Sequence, residues 1–122
     1  MSKILYLDDS PDQRHLILMV LGSLGFQIET ATDGEDGLHK VKTNRPDLIL
    51  LDLRMPKIDG FEFLEILKQE DTLKDIPVIV VSAWAGKNQK EKAAQAGAID
   101  FISKPYDLDR LINIIEKYLP PT

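Results

Sequence analysis

The stretch that decides the fold of this chain is Leu48-Ile49-Leu50-Leu51-Asp52-Leu53. Its apolar residues follow one another without alternation, which indicates a strand that is covered on both faces. Strands of this kind occur in parallel sheets, where helices pack against each side. The run is interrupted near its end by one carboxylate, Asp52. That side chain is therefore expected at the carboxyl edge of the sheet.

Similar apolar runs lie on either side of this stretch along the chain. Residues 4–7 form a short run that stops at Asp8 and Asp9, and residues 78–81 form another that ends at Ser82. Both predict buried strands that deliver polar side chains to the point where they end. Two weaker strand patterns complete a set of five: residues 26–31 and 99–102.

A helical pattern follows each predicted strand. Ser10 and Pro11 suit the start of the first helix, and Gly25 suits its stop. Asp33-Gly34 is interpreted as a turn before a short second helix. The predicted helices cover residues 11–24, 37–42, 61–67 and 87–96, with a last helix from 108 that Pro120-Pro121 ends.

The strand–helix order therefore repeats five times with short links. Alternation of this kind predicts parallel strands, right-handed crossovers and helices on both faces of the sheet. The expected fold is α/β, a five-stranded parallel sheet doubly wound as (βα)5, which is the flavodoxin-like arrangement. The length of 122 residues fits one domain over residues 1–122, with no output domain in this chain.

Composition excludes several classes of function. A net charge of −5 argues against nonspecific binding to nucleic acid, because phosphate backbones require a clustered positive surface. No apolar run approaches the roughly 20 residues of a membrane-spanning helix. The chain has no cysteine, which excludes thiol catalysis and thiolate metal sites. We expect a soluble, cytoplasmic protein that binds neither nucleic acid nor membrane.

Polar side chains follow four of the five predicted strands, where parallel sheets place their ligand sites. Asp8 and Asp9 follow the first strand, Asp52 ends the third, Ser82 ends the fourth, and Lys104 follows the fifth. Each residue alone is more often a cap, turn or solvated loop residue than part of a site. Together they predict one site at a single edge of the sheet.

The chemistry of this set favours phosphoryl transfer. Carboxylates that share a small site repel one another unless a cation is present, and Mg²⁺ takes one or two carboxylates together with water and phosphate. A lysine and a serine hydroxyl can hold the oxygens of a phosphoryl group during transfer. An aspartate is itself a competent nucleophile that forms an aspartyl phosphate.

The ordered motifs resemble the receiver domain of two-component response regulators, and the resemblance covers essentially the whole chain. The matching stretches are Asp8-Asp9, Leu50-Leu51-Asp52-Leu53, Met55-Pro56-Lys57-Ile58-Asp59-Gly60, Val80-Val81-Ser82-Ala83 and Phe101-Ile102-Ser103-Lys104-Pro105. The resemblance implies a signalling switch rather than a turnover enzyme.

The resemblance also implies a role for each matching residue. Asp52 would accept the phosphoryl group. Asp9, Asp52 and the backbone carbonyl of Arg54 would bind Mg²⁺ directly, and Asp8 would act through a water. Mn²⁺ is an alternative metal. Lys104 would bind a phosphoryl oxygen and would precede a cis peptide bond to Pro105. Two further residues would form the switch: the hydroxyl of Ser82 and the ring of Phe101.

The implied partners are proteins. The phosphoryl donor would be a phosphohistidine on a sensor histidine kinase or a phosphotransfer protein. The downstream protein would dock on residues 87–119, and a phosphorylation-dependent homodimer is left open. The chain could act alone or come from a longer protein. His15 and His39 fall at helix surface positions and receive no role.

Three alternatives and one refinement accompany this interpretation. A pseudo-receiver would share the fold and act as an interaction module without phosphorylation. An aspartate-nucleophile phosphatase would carry a second acid two residues after the nucleophile, where this chain has Arg54. This chain lacks the glycine-rich motifs of nucleotide-binding proteins, which argues against that class. Arg54 and Trp84 are large residues expected at the rim of the site, where they would shield the phosphoryl group from water.

Overall fold

In the computed structural model, which describes residues 2–119, five strands alternate with five helices. Their bounds are β1 Lys3–Leu7, α1 Pro11–Ser23, β2 Gln27–Ala31, α2 Gly34–Thr43, β3 Leu48–Leu51, α3 Gly60–Gln69, β4 Val78–Ser82, α4 Lys87–Gln95, β5 Asp100–Ser103 and α5 Leu108–Tyr118. The predicted fold class is confirmed. The expected stop at Pro120-Pro121 lies outside the described residues.

The strands form one parallel sheet in the order β2-β1-β3-β4-β5. β3 lies at the centre, where Leu51 pairs with Leu7 on one side and with Val80 on the other. On β4, Ser82 pairs with Ser103 of β5. The carboxyl ends of β1, β3, β4 and β5 therefore lie side by side along one edge, as the sequence predicts.

The three central strands, β1, β3 and β4, bury both of their faces, so the core has two layers. Alternate residues of the three central strands point to opposite sides of the sheet. One layer joins Leu7, Leu51 and Val80 to helices α2, α3 and α4. The other layer joins Tyr6 and Leu50 to α1 and α5. Every residue of β3 is buried, which explains why its sequence shows no polar alternation.

Several element boundaries differ from the sequence prediction, and two of these differences have a specific cause. α2 begins at Gly34 rather than Gly37, because Asp33 is the N-cap and its Oδ1 accepts a hydrogen bond from Asp36 N at 2.8 Å. The interpretation of Asp33-Gly34 as a turn before the helix is therefore wrong. β5 covers Asp100–Ser103 rather than residues 99–102, because its pairing with β4 extends to Ser103.

The loop between β3 and α3 is held close to the end of β3. Gly60 N donates to the carbonyl of Leu53 at 2.9 Å, and a Cβ at Gly60 would stand 2.6 Å from the Leu53 Cα. Only glycine fits this approach. Lys57, in the same loop, has a φ of 69°, a left-handed conformation that costs a non-glycine residue about 1–2 kcal/mol. The loop is thus folded tightly against the strand that carries Asp52.

Among the described residues, the longest helix is α1 with 13 residues, and none of the helices is long and apolar enough to span a bilayer. α1 nevertheless exposes apolar residues on its outer face. Ile17 and Leu21 are buried against the sheet, whereas Leu18 and Met19 remain 44% and 56% exposed. Exposed apolar residues next to one another on one helix often mark a contact surface.

Candidate functional site

Four strand ends bring their side chains to one point. Lys104 Nζ lies 2.7 Å from Asp8 Oδ2 and 3.0 Å from Asp52 Oδ2, so it bridges carboxylates from β1 and β3. The Ser82 hydroxyl donates to Asp52 Oδ1 at 3.1 Å. The structure therefore brings together four of the five residues that the strand ends predict.

Asp52 stands at the centre of this arrangement. Its residue is 8% exposed, and its backbone N–H donates to the carbonyl of Leu7 at 3.0 Å. Oδ1 accepts hydrogen bonds from Ser82 and from Arg54 N at 3.2 Å, while Oδ2 accepts one from Lys104. Hydrogen bonds therefore hold both carboxylate oxygens, and the side chain remains slightly exposed to solvent.

Lys104 is aimed into the site by its backbone. Its N–H donates to the Ser82 carbonyl at 3.0 Å, and the following bond to Pro105 is cis. Partial burial lowers the pKa of Lys104, but hydrogen bonding to Asp8 and the charges of Asp52 and Asp8 outweigh it and raise the pKa overall. The ammonium is therefore charged at neutral pH and offsets one of the two carboxylates.

Asp8 and Asp9 occupy different environments although they are adjacent in sequence. Asp8 is 1% exposed, and its Oδ1 accepts a hydrogen bond from Ser10 N at 2.9 Å. Asp9 is exposed, and the structure shows no hydrogen bond or ion pair between it and the other site residues within 2–119. The sequence predicts three carboxylates at one point. The structure brings Asp8 and Asp52 together there and leaves Asp9 apart.

The carboxylate oxygens of the site are candidate ligands for a divalent metal. Across residues 2–119, no group of three or more His, Cys, Asp or Glu side chains is arranged to hold a metal ion. The oxygens of Asp8 and Asp52 nevertheless face one another across a single ammonium. Mg²⁺ needs only one or two protein carboxylates and keeps several waters, so this oxygen-only set fits Mg²⁺ chemically.

Sequence reasoning missed Tyr6. This residue is fully buried on β1, and its hydroxyl donates to Asp8 Oδ2 at 2.6 Å. Burial, followed by the hydrogen bond to Asp8, raises the pKa of Tyr6 far above its ordinary value, so the phenol stays protonated. The signal was present: a phenol stands in an otherwise aliphatic strand, two residues before Asp8 and therefore on the same face.

Aromatic side chains line the rim of the site. The guanidinium carbon of Arg54 lies 5.2 Å from the centre of the Trp84 ring, and Trp84 packs edge-on against Phe61 with ring centres 5.8 Å apart. Trp84 N also donates to the Ser82 hydroxyl oxygen at 3.1 Å. Phe101 lies one strand away on β5, half-buried beneath Lys90, whose Nζ is 5.9 Å from the ring centre.

Comparison with known proteins bears directly on this geometry. The family model described as "Response regulator receiver domain" matches residues 4–116. The chain belongs to the response regulator receiver domain family. Members of this family are signalling switches of two-component systems, in which phosphorylation is typical.

Individual relatives agree with this membership. Sporulation initiation phosphotransferase F of Bacillus subtilis is 36% identical over 118 residues, which cover 97% of this chain and 94% of that protein. The DNA-binding regulator RpaA of Synechocystis sp. is 33% identical over 122 residues. This chain spans only 51% of RpaA. The receiver domain is therefore found both as nearly a whole protein and as part of a longer one.

A solved structure shows the same fold. Chemotaxis protein CheY4 of Vibrio cholerae superposes with a TM-score of 0.91 at 29% identity, covering 97% of this chain and 98% of that one. The likeness in fold therefore extends over nearly the whole chain.

Proposed function

We propose that this receiver domain is a phosphorylation switch that accepts a phosphoryl group on Asp52 from a phosphohistidine donor. The observation that carries the proposal is the position of Asp52: its carboxylate ends the central strand, and Lys104 and Ser82 each contact one of its oxygens. A cation and a hydroxyl placed on either side of a nucleophile suit the charged oxygens of a phosphoryl group.

The transfer is a substitution at phosphorus. A carboxylate oxygen of Asp52 forms the new P–O bond as the P–N bond of the donor breaks. The bonding pair leaves with the donor's imidazole nitrogen, and the imidazole takes up a proton from solvent to leave neutral. Lys104 and Ser82 then each hold one phosphoryl oxygen, so the charge that develops in transfer is balanced by groups already in place.

The proposed metal site uses residues on both sides of Asp52. Asp9, Asp52 and the backbone carbonyl of Arg54 would bind Mg²⁺ directly, with Asp8 acting through a water; Mn²⁺ could serve instead. When bound, the metal neutralises charge on the phosphoryl oxygens and the carboxylates. Asp9 suits this task because it is exposed and free to turn toward the site, whereas Asp8 is already held by Tyr6, Ser10 and Lys104.

The surface beside the site suits a donor protein. A groove of about 410 Å³ is lined by Leu16 of α1 and by Lys104, Pro105 and Tyr106 of the β5–α5 loop, so it adjoins the acceptor. Met19 lies three residues after Leu16, on the same side of α1, and is 56% exposed. We propose that a sensor histidine kinase or a phosphotransfer protein in the cytoplasm docks here and presents its phosphohistidine to Asp52.

The first test is phosphorylation by a small donor. Incubation with acetyl phosphate and Mg²⁺ should add one phosphoryl group to the wild type, and intact mass measures it. Asp52→Asn should abolish the addition, because an amide is not a nucleophile for phosphorus. Asp9→Asn should reduce the labelling and chelation of divalent metal should stop it.

The outcomes separate the candidate functions. Labelling of Asp52→Asn as strong as that of the wild type would show that the acceptor is elsewhere. A wild type that neither takes up phosphoryl groups nor binds beryllofluoride, a phosphoryl mimic, would favour the pseudo-receiver. Labelling that is unchanged by chelation would remove the metal from the mechanism.

A further inference from the structure

Tyr6 brings a hydroxyl to the floor of the site from an otherwise apolar layer. Its ring is 0% exposed and packs in the core layer between the sheet and helices α1 and α5. Asp8 Oδ2 is the acceptor of its hydroxyl. A phenol in this position has two rotatable bonds within a close-packed layer, so its hydroxyl cannot move far.

The same carboxylate oxygen has a second donor of a different kind. Asp8 Oδ2 accepts from Tyr6 at 2.6 Å and from Lys104 Nζ at 2.7 Å. Lys104 is a compact charge on a flexible stem, with 16% of its side chain exposed. Asp8 therefore has one fixed donor and one movable donor on a single oxygen.

We propose that Tyr6 is a positioning residue that keeps Asp8 hydrogen-bonded when Lys104 leaves it for the phosphoryl group. The inference rests on the proposed function, in which Lys104 binds a phosphoryl oxygen. Asp8 is almost fully buried, and a buried acceptor that loses its partners is costly. Because Tyr6 retains one of the two contacts, the departure of Lys104 does not leave Oδ2 without a donor.

The effect lies in the difference between two states. In the resting state, removal of the Tyr6 hydroxyl takes away one of two donors on Asp8 Oδ2. In the phosphorylated state Lys104 has left, so removal of the Tyr6 hydroxyl takes away the last donor that the protein offers to Asp8 Oδ2. Since a change in population depends only on such a difference, loss of the hydroxyl should favour the resting state, with Lys104 kept on Asp8.

The test measures beryllofluoride binding in the wild type, Tyr6→Phe and Ile17→Val. Trp84 is the only tryptophan of the chain and lies beside Ser82, so its fluorescence reports each titration. Mg²⁺ is added to saturation first and beryllofluoride second. We expect Tyr6→Phe to bind beryllofluoride roughly five- to tenfold more weakly than the wild type, because only the difference between the states is lost.

Ile17→Val is the control. Ile17 of α1 is fully buried in the same core layer and carries no polar atom. The variant disturbs the packing of that layer and leaves the hydrogen bond from Tyr6 to Asp8 in place. Ile17→Val should therefore bind beryllofluoride as the wild type does, and a weakening equal to that of Tyr6→Phe would overturn the inference.

A measurement on the wild type does not depend on any variant. A short hydrogen bond from a buried phenol to a carboxylate should give a resolved downfield proton resonance for the Tyr6 hydroxyl. The inference requires this resonance to persist in the beryllofluoride complex. If the resonance disappears on binding, Tyr6 does not keep its hydrogen bond to Asp8.

Different results would contradict the proposed function and the role of Tyr6. A wild type that does not bind beryllofluoride at all would contradict the proposed function. A wild type that binds it, with Tyr6→Phe of equal affinity, would leave the proposed function standing and overturn the role of Tyr6. A loss that Tyr6→Phe shows only in the Mg²⁺ titration would also overturn it, since the inference concerns the step in which Lys104 moves.

Discussion

Arg54 and Trp84 form a stacked pair at the rim of the site. The Arg54 guanidinium lies over the face of the indole, and such contacts contribute about 0.5–1 kcal/mol at exposed sites. The pair is joined to the site because the backbone N–H groups of both residues donate to site oxygens, on Asp52 and Ser82. An aspartyl phosphate is lost to water, and neither side chain can act as a general base for it.

We therefore expect the pair to prolong the phosphorylated state by excluding water. Arg54→Ala, Trp84→Ala and the double variant should each lose the phosphoryl group roughly two- to tenfold faster, where tenfold corresponds to about 1.4 kcal/mol of barrier. The measurement follows dephosphorylation at fixed Mg²⁺ after removal of acetyl phosphate.

Lys92→Ala provides the control for this pair. Lys92 Nζ lies 4.3 Å from the ring centre of Phe61, so it makes a similar contact on the ring that packs against Trp84. Its loss should leave the rate of dephosphorylation unchanged. Equal or slower loss of phosphate in all three rim variants would show that the lifetime is set elsewhere.

At the scale of single elements, the start of α2 depends on one side chain. Asp33 caps the helix through the hydrogen bond from Asp36 N, and Lys57 Nζ lies 3.5 Å from its other oxygen. The hydrogen bond to Asp36, followed by the charge of Lys57, lowers the pKa of Asp33 below its usual value of 3.8. The cap thus links α2 to the β3–α3 loop, which follows Asp52.

Asp33→Ala should lower the free energy of unfolding by about 1 kcal/mol, the usual cost of losing an N-cap. Asp33→Asn retains an acceptor oxygen and should cost only a few tenths of a kcal/mol at neutral pH. Urea unfolding at a series of pH values measures both.

The pH dependence of the cap follows from the sign of the shift. Because folding lowers the pKa of Asp33, its charge contributes stability that is fully present above the unfolded value of 3.8 and is lost as the pH falls through the folded value. The advantage of the wild type over Asp33→Asn should disappear in that acidic range. An advantage that persists or grows on acidification would contradict the assignment of the cap.

At the scale of the whole molecule, β4 and β5 connect the acceptor site to a distant surface. Ser82 contacts Asp52, and Ser82 pairs with Ser103 beside Lys104. Phe101 lies on the same strand, half-buried toward α4. A shift of Ser82 and Lys104 onto a phosphoryl group would therefore be felt along β5 and by the helices on either side of it.

We expect beryllofluoride with Mg²⁺ to change amide chemical shifts across residues 87–119 as well as around Asp52. The change would be a shift between two existing arrangements of Ser82 and Phe101. Two-dimensional amide NMR measures it, with Asp52→Asn as a control that should show no response. Changes confined to the Asp52 loop would contradict a switch that reaches α4, β5 and α5.

The sequence by itself determined the sheet and the strand ends that carry the site. Runs without alternation, such as residues 48–51, require burial on both faces, and this is possible only between two layers of helices. Glycine and capping residues separate these runs, so the order of elements follows from local chemistry. The convergence of Asp8, Asp52, Ser82 and Lys104 then follows from parallel pairing alone.

Only the tertiary structure decided which partners these side chains take. Lys104 and Asp8 are 96 residues apart, and the strand pattern does not state that this lysine bridges two carboxylates. It also does not separate Asp8 from Asp9, which differ because adjacent residues after a strand point to opposite sides. Tyr6 reaches Asp8 because a phenol is long enough to span two positions on one face. Distances between side chains of different strands depend on packing, and periodicity along the chain does not contain that information.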